Sequence, residues 1–255
     1  MLQDEYGWTA EPLFPPLLNG VKVKGHPRPF DCAHRDAKAK NAQPGDFYWS
    51  PSQRFLECAL VLEPETDATR SMHMLFAAMV AFGDAFGSLA PPELGMFYRW
   101  PNQFILNDAV TGSARIIMAE TNRNEEAPDW LVVGIKIELK GKDNDLNPGE
   151  DMGRTNLFEE GVGELSQRDL LEAFSRHILV WIHTWNDEGF KPVHENWCGR
   201  AEALGKEISI KQGKKSWDGK FLNLDGDGNL LLKTLAGEMI SLNPRDFLNA
   251  QTWDR

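Results

Sequence analysis

FYRWPNQFILND, residues 97–108, is the stretch on which the fold turns. Two short apolar runs, Phe97-Tyr98 and Phe104-Ile105-Leu106, flank Arg99-Trp100-Pro101-Asn102, and the stretch stops on the polar pair Asn107-Asp108. Proline inside a strand pattern is normally confined to an edge, a bulge or a first strand residue, so its place here, where MFYRW leads into QFILN as one strand-like run, is unusual. An indole, a guanidinium and an amide gathered beside it are candidates for ligand contact. They serve equally well to shape the strand.

Downstream of the motif, ARIIMAE (114–120) and WLVVGIKIEL (130–139) read as further strands, the second followed by a polar, turn-rich run from 140 to 151. Upstream, Asp67 to Leu89 carries apolar residues at Met72, Leu75, Phe76, Met79, Phe82 and Phe86, a spacing that predicts one buried helical face. GDFYWS (45–50) and RFLECALVLEPE (54–65) read as a hairpin with a very short connection. Residues 31–42 predict a short helix with Asp31 as N-cap. The first 30 residues are too rich in proline and glycine to predict regular structure, and are expected to wrap a surface or cover an edge strand. Downstream, Ser166-Gln167-Arg168-Asp169 resembles a capping box opening a helix that ends at Gly189, with Leu170, Phe174, His177, Ile178, Trp181 and Trp185 on one side. After Trp197, four short alternating segments separated by glycine-containing turns predict a small barrel. The DGDGN run at 225–229 lacks the later ligands of a calcium loop and predicts a hairpin turn.

Composition narrows the class. The 255 residues carry a formal charge of −11, which argues against a nucleic-acid partner, since such binding needs a basic stripe to displace counterions. Cys32, Cys58 and Cys198 are odd in number and in no CxxC pattern, so they read as free thiols in a reducing compartment. The acidic start and the lack of a long apolar run predict neither a secretory signal nor a membrane span, and a cytoplasmic location. His177 and His183 do not share a helical face and predict no metal pair; His177, on the apolar stripe, is expected in the core.

In combination these pieces resemble the biotin protein ligases, within the biotin/lipoate ligase superfamily. The family's Lys-Trp-Pro-Asn-Asp strand corresponds to Arg99-Trp100-Pro101-Asn102-Gln103, and its Gly-Ile-Gly-Ile-Asn strand to Gly134-Ile135-Lys136-Ile137-Glu138. The long helix ending in Glu-Gly-Phe and the terminal barrel are similar too, and residues from about Pro44 to Leu242 follow the template. The resemblance implies an α+β fold: a mixed sheet flanked by helices over residues 1–197, then a small SH3-like β-barrel over 198–255. It also implies a ligand face built from Arg99, Trp100, Asn102, Gln103, Gly112, Arg115, Gly134 and Lys136.

The family's reaction joins an acid to ATP as an acyl-adenylate, then passes the acyl group to a lysine of a carrier domain. Both steps develop negative charge and need fixed cations and hydrogen-bond donors. Here the family's glycine-arginine loop, which lies between the hairpin strands, is missing. Arg99 replaces the motif lysine, Gln103 an acid, Lys136 a glycine and Glu138 an asparagine. An arginine spreads its charge over a planar fork and is no simple equivalent of lysine. The expected function is therefore a ligase-like protein of altered or lost activity that binds a small acid, a nucleotide or a carrier domain. The alternative is an active ligase using ATP, magnesium and biotin, with Arg99 and Lys136 supplying charge. Two residues have competing roles: Arg99 either meets a ligand anion or pairs with a surface acid, and Lys136 is either a new functional cation or an outward-pointing strand residue. Trp49 and Arg54, beside the short connection, are expected to be plain hairpin residues.

Overall fold

A computed structural model describes residues 11–121, 126–141, 153–162 and 165–248. In chain order the elements are β1 (Asn19–Lys22), α1 (Pro29–Lys38), β2 (Asp46–Trp49), β3 (Phe55–Leu62), α2 (Ala68–Ser71), α3 (His73–Gly87), β4 (Phe97–Arg99), β5 (Gln103–Leu106), β6 (Ala109–Met118) and β7 (Leu131–Glu138). They continue with α4 (Gln167–Glu188), α5 (Phe190–Gly199), β8 (Glu207–Gln212), β9 (Lys215–Leu224), β10 (Leu230–Thr234), β11 (Met239–Leu242) and α6 (Pro244–Leu248). Among the described residues, β1 to β7 form one sheet in the order β1-β2-β3-β7-β6-β5-β4, antiparallel except for the β1–β2 edge. The fold is α+β, a mixed sheet flanked by helices and followed by a four-stranded antiparallel sheet in the order β11-β10-β9-β8. No helix among the described residues is long and apolar enough to cross a membrane.

Strand alternation divides the large sheet into two faces. Leu131, Val133, Ile135 and Ile137 of β7 enter the main core with α3 and α4, while Val132 joins a smaller cluster with Phe30 and Ala33 of α1. Residues opposite one another across a ladder share a face, so the register carries this assignment from strand to strand.

Several expectations are corrected. The helix over 67–89 is two helices, α2 capped by the Asp67 carboxylate, which accepts from the Thr69 and Arg70 amides, and α3. Helix α3 buries every side rather than one, because the sheet lies on one flank and α4 and α5 on another; only Asp84 and Gly87 are not buried. A helix apolar all round belongs in a core. Helix α1 starts at Pro29, not Asp31, since proline's fixed φ suits the first helical position and Asp31 falls in the first turn. Within the first 30 residues β1 is regular, a parallel edge strand whose Asn19 side chain donates to Asp46 at 2.8 Å. Helix α5 was not expected; its Pro192 is tolerated in the first turn. The polar run from 142 to 151 lies outside the described residues.

The C-terminal sheet does not stand apart. Its Phe221, Leu224, Leu230, Leu232 and Leu242 join the main core. The 225–229 turn is closed by the Asp225 carboxylate, which accepts from the amides of Asp227 and Asn229, each at 2.9 Å. Gly228 in that turn lies against the Phe76 ring, where a Cβ would collide.

Candidate functional site

The two ends of the motif meet the C-terminal half of the chain. The Trp100 indole is buried; its N–H donates to the Gly228 carbonyl at 3.3 Å, and its ring packs edge-on against Phe247. Arg99 grips Glu202 through two hydrogen bonds, Nε to Oε2 at 2.9 Å and Nη2 to Oε1 at 2.7 Å. The paired-acid role is the one this geometry realises for Arg99. Asn102 is buried and donates from Nδ2 to the Ala114 carbonyl at 2.7 Å, on the core side of the sheet. Gly112 also lies on the core side, opposite Ile137; its missing Cβ makes room for the Lys136 carbonyl and the Ile137 side chain. Trp100, Asn102 and Gly112 thus make contacts within the fold, the Asn102 Oδ1 being left buried without a partner among the described residues, whereas Arg99, Gln103, Arg115, Gly134 and Lys136 share the other face.

On that face the register aligns a polar row across five strands: Arg99 on β4, Gln103 on β5, Ser113 on β6, Lys136 on β7 and Glu57 on β3. Glu57 is buried, and its Oε1 accepts from Arg28 Nη1 at 2.8 Å and lies 3.7 Å from Lys136 Nζ. The Lys136 ammonium also sits 4.6 Å from the centre of the Phe55 ring. Burial, and next the Arg28 charge, push the Lys136 ammonium below its usual range, while Glu57 opposes the shift. Lys136 is thus turned into a packed ion triad.

The neighbouring row is filled in the same way. Gly134 lies opposite Arg115 and Ala59, and the Phe30 ring of α1 rests directly on it. The Arg115 guanidinium stacks over the same ring at 4.4 Å and comes within 3.9 Å of Asp31. Glu138, further along β7, pairs with Arg54 at 3.2 Å and Arg154 at 3.8 Å. The face concentrates cations, Arg28, Arg54, Arg115, Lys136 and Arg154, each beside a carboxylate of this chain.

The short connection from β2 to β3 is locked. Gln167, at the first position of α4, donates to the Ser50 and Phe55 carbonyls at 2.9 and 2.7 Å, and accepts from the Ser52 amide at 3.3 Å. The Ser52 hydroxyl accepts from the amides of Arg54 and Phe55. Trp49 is buried in the core, and Arg54 stacks over Phe55. Sequence reasoning missed Gln167, Glu57, Arg28 and Glu202. A buried Glu57 inside an apolar strand was the one available signal, because an acid there requires a cationic partner.

Among the described residues no three His, Cys, Asp or Glu side chains converge to hold a metal ion. His177, expected in the core, is only half-buried; His73 is the buried histidine, stacked on Phe190 at 3.9 Å and accepting from the Trp185 indole.

Comparison with known proteins places this geometry. A profile of the biotin/lipoate A/B protein ligase family matches residues 14–199. The chain is 27% identical over 183 residues to the biotin--[acetyl-CoA-carboxylase] ligase of Paracoccus denitrificans, covering 71% of this chain and 75% of that one. It is 23% identical over 207 residues to the bifunctional ligase/repressor BirA of Bacillus subtilis, covering 80% of this chain but only 58% of that longer protein. Among solved structures, a biotin protein ligase-like protein of unknown function from Silicibacter sp. superposes with a TM-score of 0.82 at 31% identity, over 94% of this chain and 100% of that one. The biotin protein ligase of Aquifex aeolicus shares the fold at a TM-score of 0.71 and 18% identity, over 90% and 96% of the two chains. The chain belongs to the biotin/lipoate A/B protein ligase family.

Proposed function

We propose that this protein is a biotin protein ligase-like protein with altered or lost ligase activity, whose remodelled sheet face binds a small anionic ligand, an acid or a nucleotide, or a carrier domain. We place the boundary between its core and its C-terminal unit at residues 197/198. The observation that carries the reading is the Arg28–Glu57–Lys136 triad. It puts buried side chains where an acyl group would lie, on a face that gathers several arginines and a lysine. The Gln167-locked connection between β2 and β3 supports it further, because a connection held by its own hydrogen bonds has no length to fold over a bound adenylate. The opposing reading, an active ligase with ATP, magnesium and biotin, draws on the Paracoccus relative.

Thermal unfolding with a non-hydrolysable biotinyl-adenylate analogue separates them, with biotin and ATP as separate arms. Ligand at about 100 times its Kd adds roughly 2.7 kcal/mol to the native state, or roughly 5–10 °C for a chain of this size. The proposal expects a shift with ATP or a simple anion and little with the analogue or biotin. A full shift with the analogue overturns it in favour of the active ligase.

A further inference from the structure

Glu202 lies in the connection from α5 to β8, and that connection clasps the edge of the large sheet. The Tyr98 amide donates to the Arg200 carbonyl at 2.9 Å, and the Glu202 amide to the Tyr98 carbonyl at 3.0 Å. The Arg200 guanidinium bonds Asp84 at 2.6 Å and the Tyr98 hydroxyl at 3.1 Å. Backbone bonds and Arg200 therefore hold the clasp without the Glu202 carboxylate. That carboxylate has another partner, the motif residue Arg99, which it engages with both oxygens. The pair is partly open to water, at 40% exposure for the Arg99 side chain and 23% for Glu202.

We infer that Glu202 is an internal carboxylate that occupies Arg99 until an anionic ligand displaces it, and so gates the candidate site. This rests on the reading of the sheet face as an anion site. Three features give the gate its physics. A bidentate carboxylate is the natural partner of a guanidinium fork, and Glu202 takes the Nε–Nη2 edge of Arg99, so a second anion that needs that edge must displace it. A solvent-reachable ion pair contributes only about 0.2–1 kcal/mol, so an anion of higher charge competes for Arg99 at small cost. Release also needs only rotation of the Glu202 side chain, because the backbone on either side stays pinned by Tyr98 and Arg200. The row from Arg99 to Lys136 then ends in a cation at each extremity, each held by a carboxylate of this chain while no ligand is bound.

Arginine labelling of the full chain with phenylglyoxal tests the gate, read by peptide mass spectrometry with the exposed Arg176 as internal reference. The variants are Glu202→Gln, with native folding checked by circular dichroism, and Arg99→Gln for binding. The gate predicts that Arg99 is labelled about fivefold faster in E202Q than in the wild type, the equivalent of about 1 kcal/mol of lost pairing. It predicts that ATP protects Arg99 at a several-fold lower concentration in E202Q, and that R99Q abolishes that gain in ATP affinity. Equal labelling in wild type and E202Q overturns the gate and leaves the anion-site reading standing if ATP still shifts the melting temperature. Faster labelling in E202Q with no protection by ATP or by inorganic pyrophosphate overturns both, and leaves Glu202 as a clasp residue alone.

Discussion

Replacing Glu57 by glutamine strips the ion triad of its only carboxylate. Glu57 and Lys136 have side chains 8% and 11% exposed, and Arg28 is 22% exposed, so in the variant two cations face each other with little water between them. Removing one partner of a buried ion pair costs about 3–5 kcal/mol. Arg28 can turn partly toward solvent, which places the expected loss near the lower bound, about 3 kcal/mol, a fall of roughly 6–12 °C in Tm. The loss depends on pH with a definite sign. Burial and Arg28 already hold the Lys136 pKa below its free value of 10.5, and Glu57 opposes them, so its removal lowers that pKa further. Between the folded pKa and 10.5 the unfolded chain binds more protons at Lys136, so stability rises with pH across that window. The E57Q defect therefore shrinks as alkali discharges Lys136. Urea unfolding at neutral pH and at about pH 9.5 measures it. Adding Lys136→Met to E57Q is expected to bring stability back within about 1 kcal/mol of the wild type, since the double variant removes the buried ammonium together with the carboxylate beside it. A loss below about 1 kcal/mol at neutral pH, or an equal loss at both pH values, refutes the triad as a buried, interdependent unit.

Gly83 on α3 faces Tyr98 and Arg200; a Cβ there meets the Tyr98 hydroxyl and lies 3.0 Å from Arg200 Nη1. Gly83→Ala is thus expected to lose about 1–3 kcal/mol in urea unfolding, by pushing the clasp off the sheet edge. Trp100→Phe removes the donor to Gly228 and part of the contact with Phe247, and is expected to cost about 1–3 kcal/mol and to speed proteolysis in β8–β11 before the core is cut. For His73, burial lowers the pKa from 6.5 to about 4, so the unfolded chain binds the extra proton between these values. Stability from this group is complete above pH 6.5 and is lost as pH falls toward 4; His73→Gln is expected to flatten that part of the stability–pH profile.

The elements with strong period or punctuation were legible from the chain alone. The Ser166 cap is one: its hydroxyl accepts the Asp169 amide, as the capping-box spacing implies, while the Asp169 carboxylate accepts from that hydroxyl rather than from the Ser166 amide of a full box. The hairpin β2–β3 is another, where aromatic and apolar runs leave no competing helical reading. What the chain could not disclose is what ladder register and long-range packing decide. Whether Lys136 meets Glu57 depends on β7 lying beside β3, two elements separated by nearly 70 residues of other structure. A slip of one residue would have sent Lys136 into the apolar core instead. Arg99 and Glu202 are 103 residues apart and meet only because the connection after α5 runs along the β4 edge. Register likewise separated Arg115 and Gly134, which share the α1 face, from Gly112, which does not.

The motif that made the family legible is also the part whose presence says least about activity. Trp100 is held in the core by a carbonyl of the C-terminal sheet, and Asn102 bonds the backbone of β6. Arg99 ties β4 to the segment leading into that sheet. The Trp100 and Asn102 contacts give their side chains a structural role with no ligand bound, since losing either leaves a buried polar group unsatisfied, whereas the clasp holds without the Arg99–Glu202 pair and the Asn102 Oδ1 is buried without a partner among the described residues. The Trp100 and Asn102 hydrogen bonds therefore form in the fold without a ligand, and they do not by themselves tell whether an adenylate forms on this strand. The weight for or against chemistry falls on residues free of that structural demand. Lys136 and Glu57 sit on a face where a smaller apolar pair would pack at least as well, because well-packed apolar side chains commonly equal or exceed a buried ion pair in stability. Their charges are the feature that stability alone does not require, which makes the Lys136 end of the row, with Arg99 at its other end, the place where a ligand is to be sought.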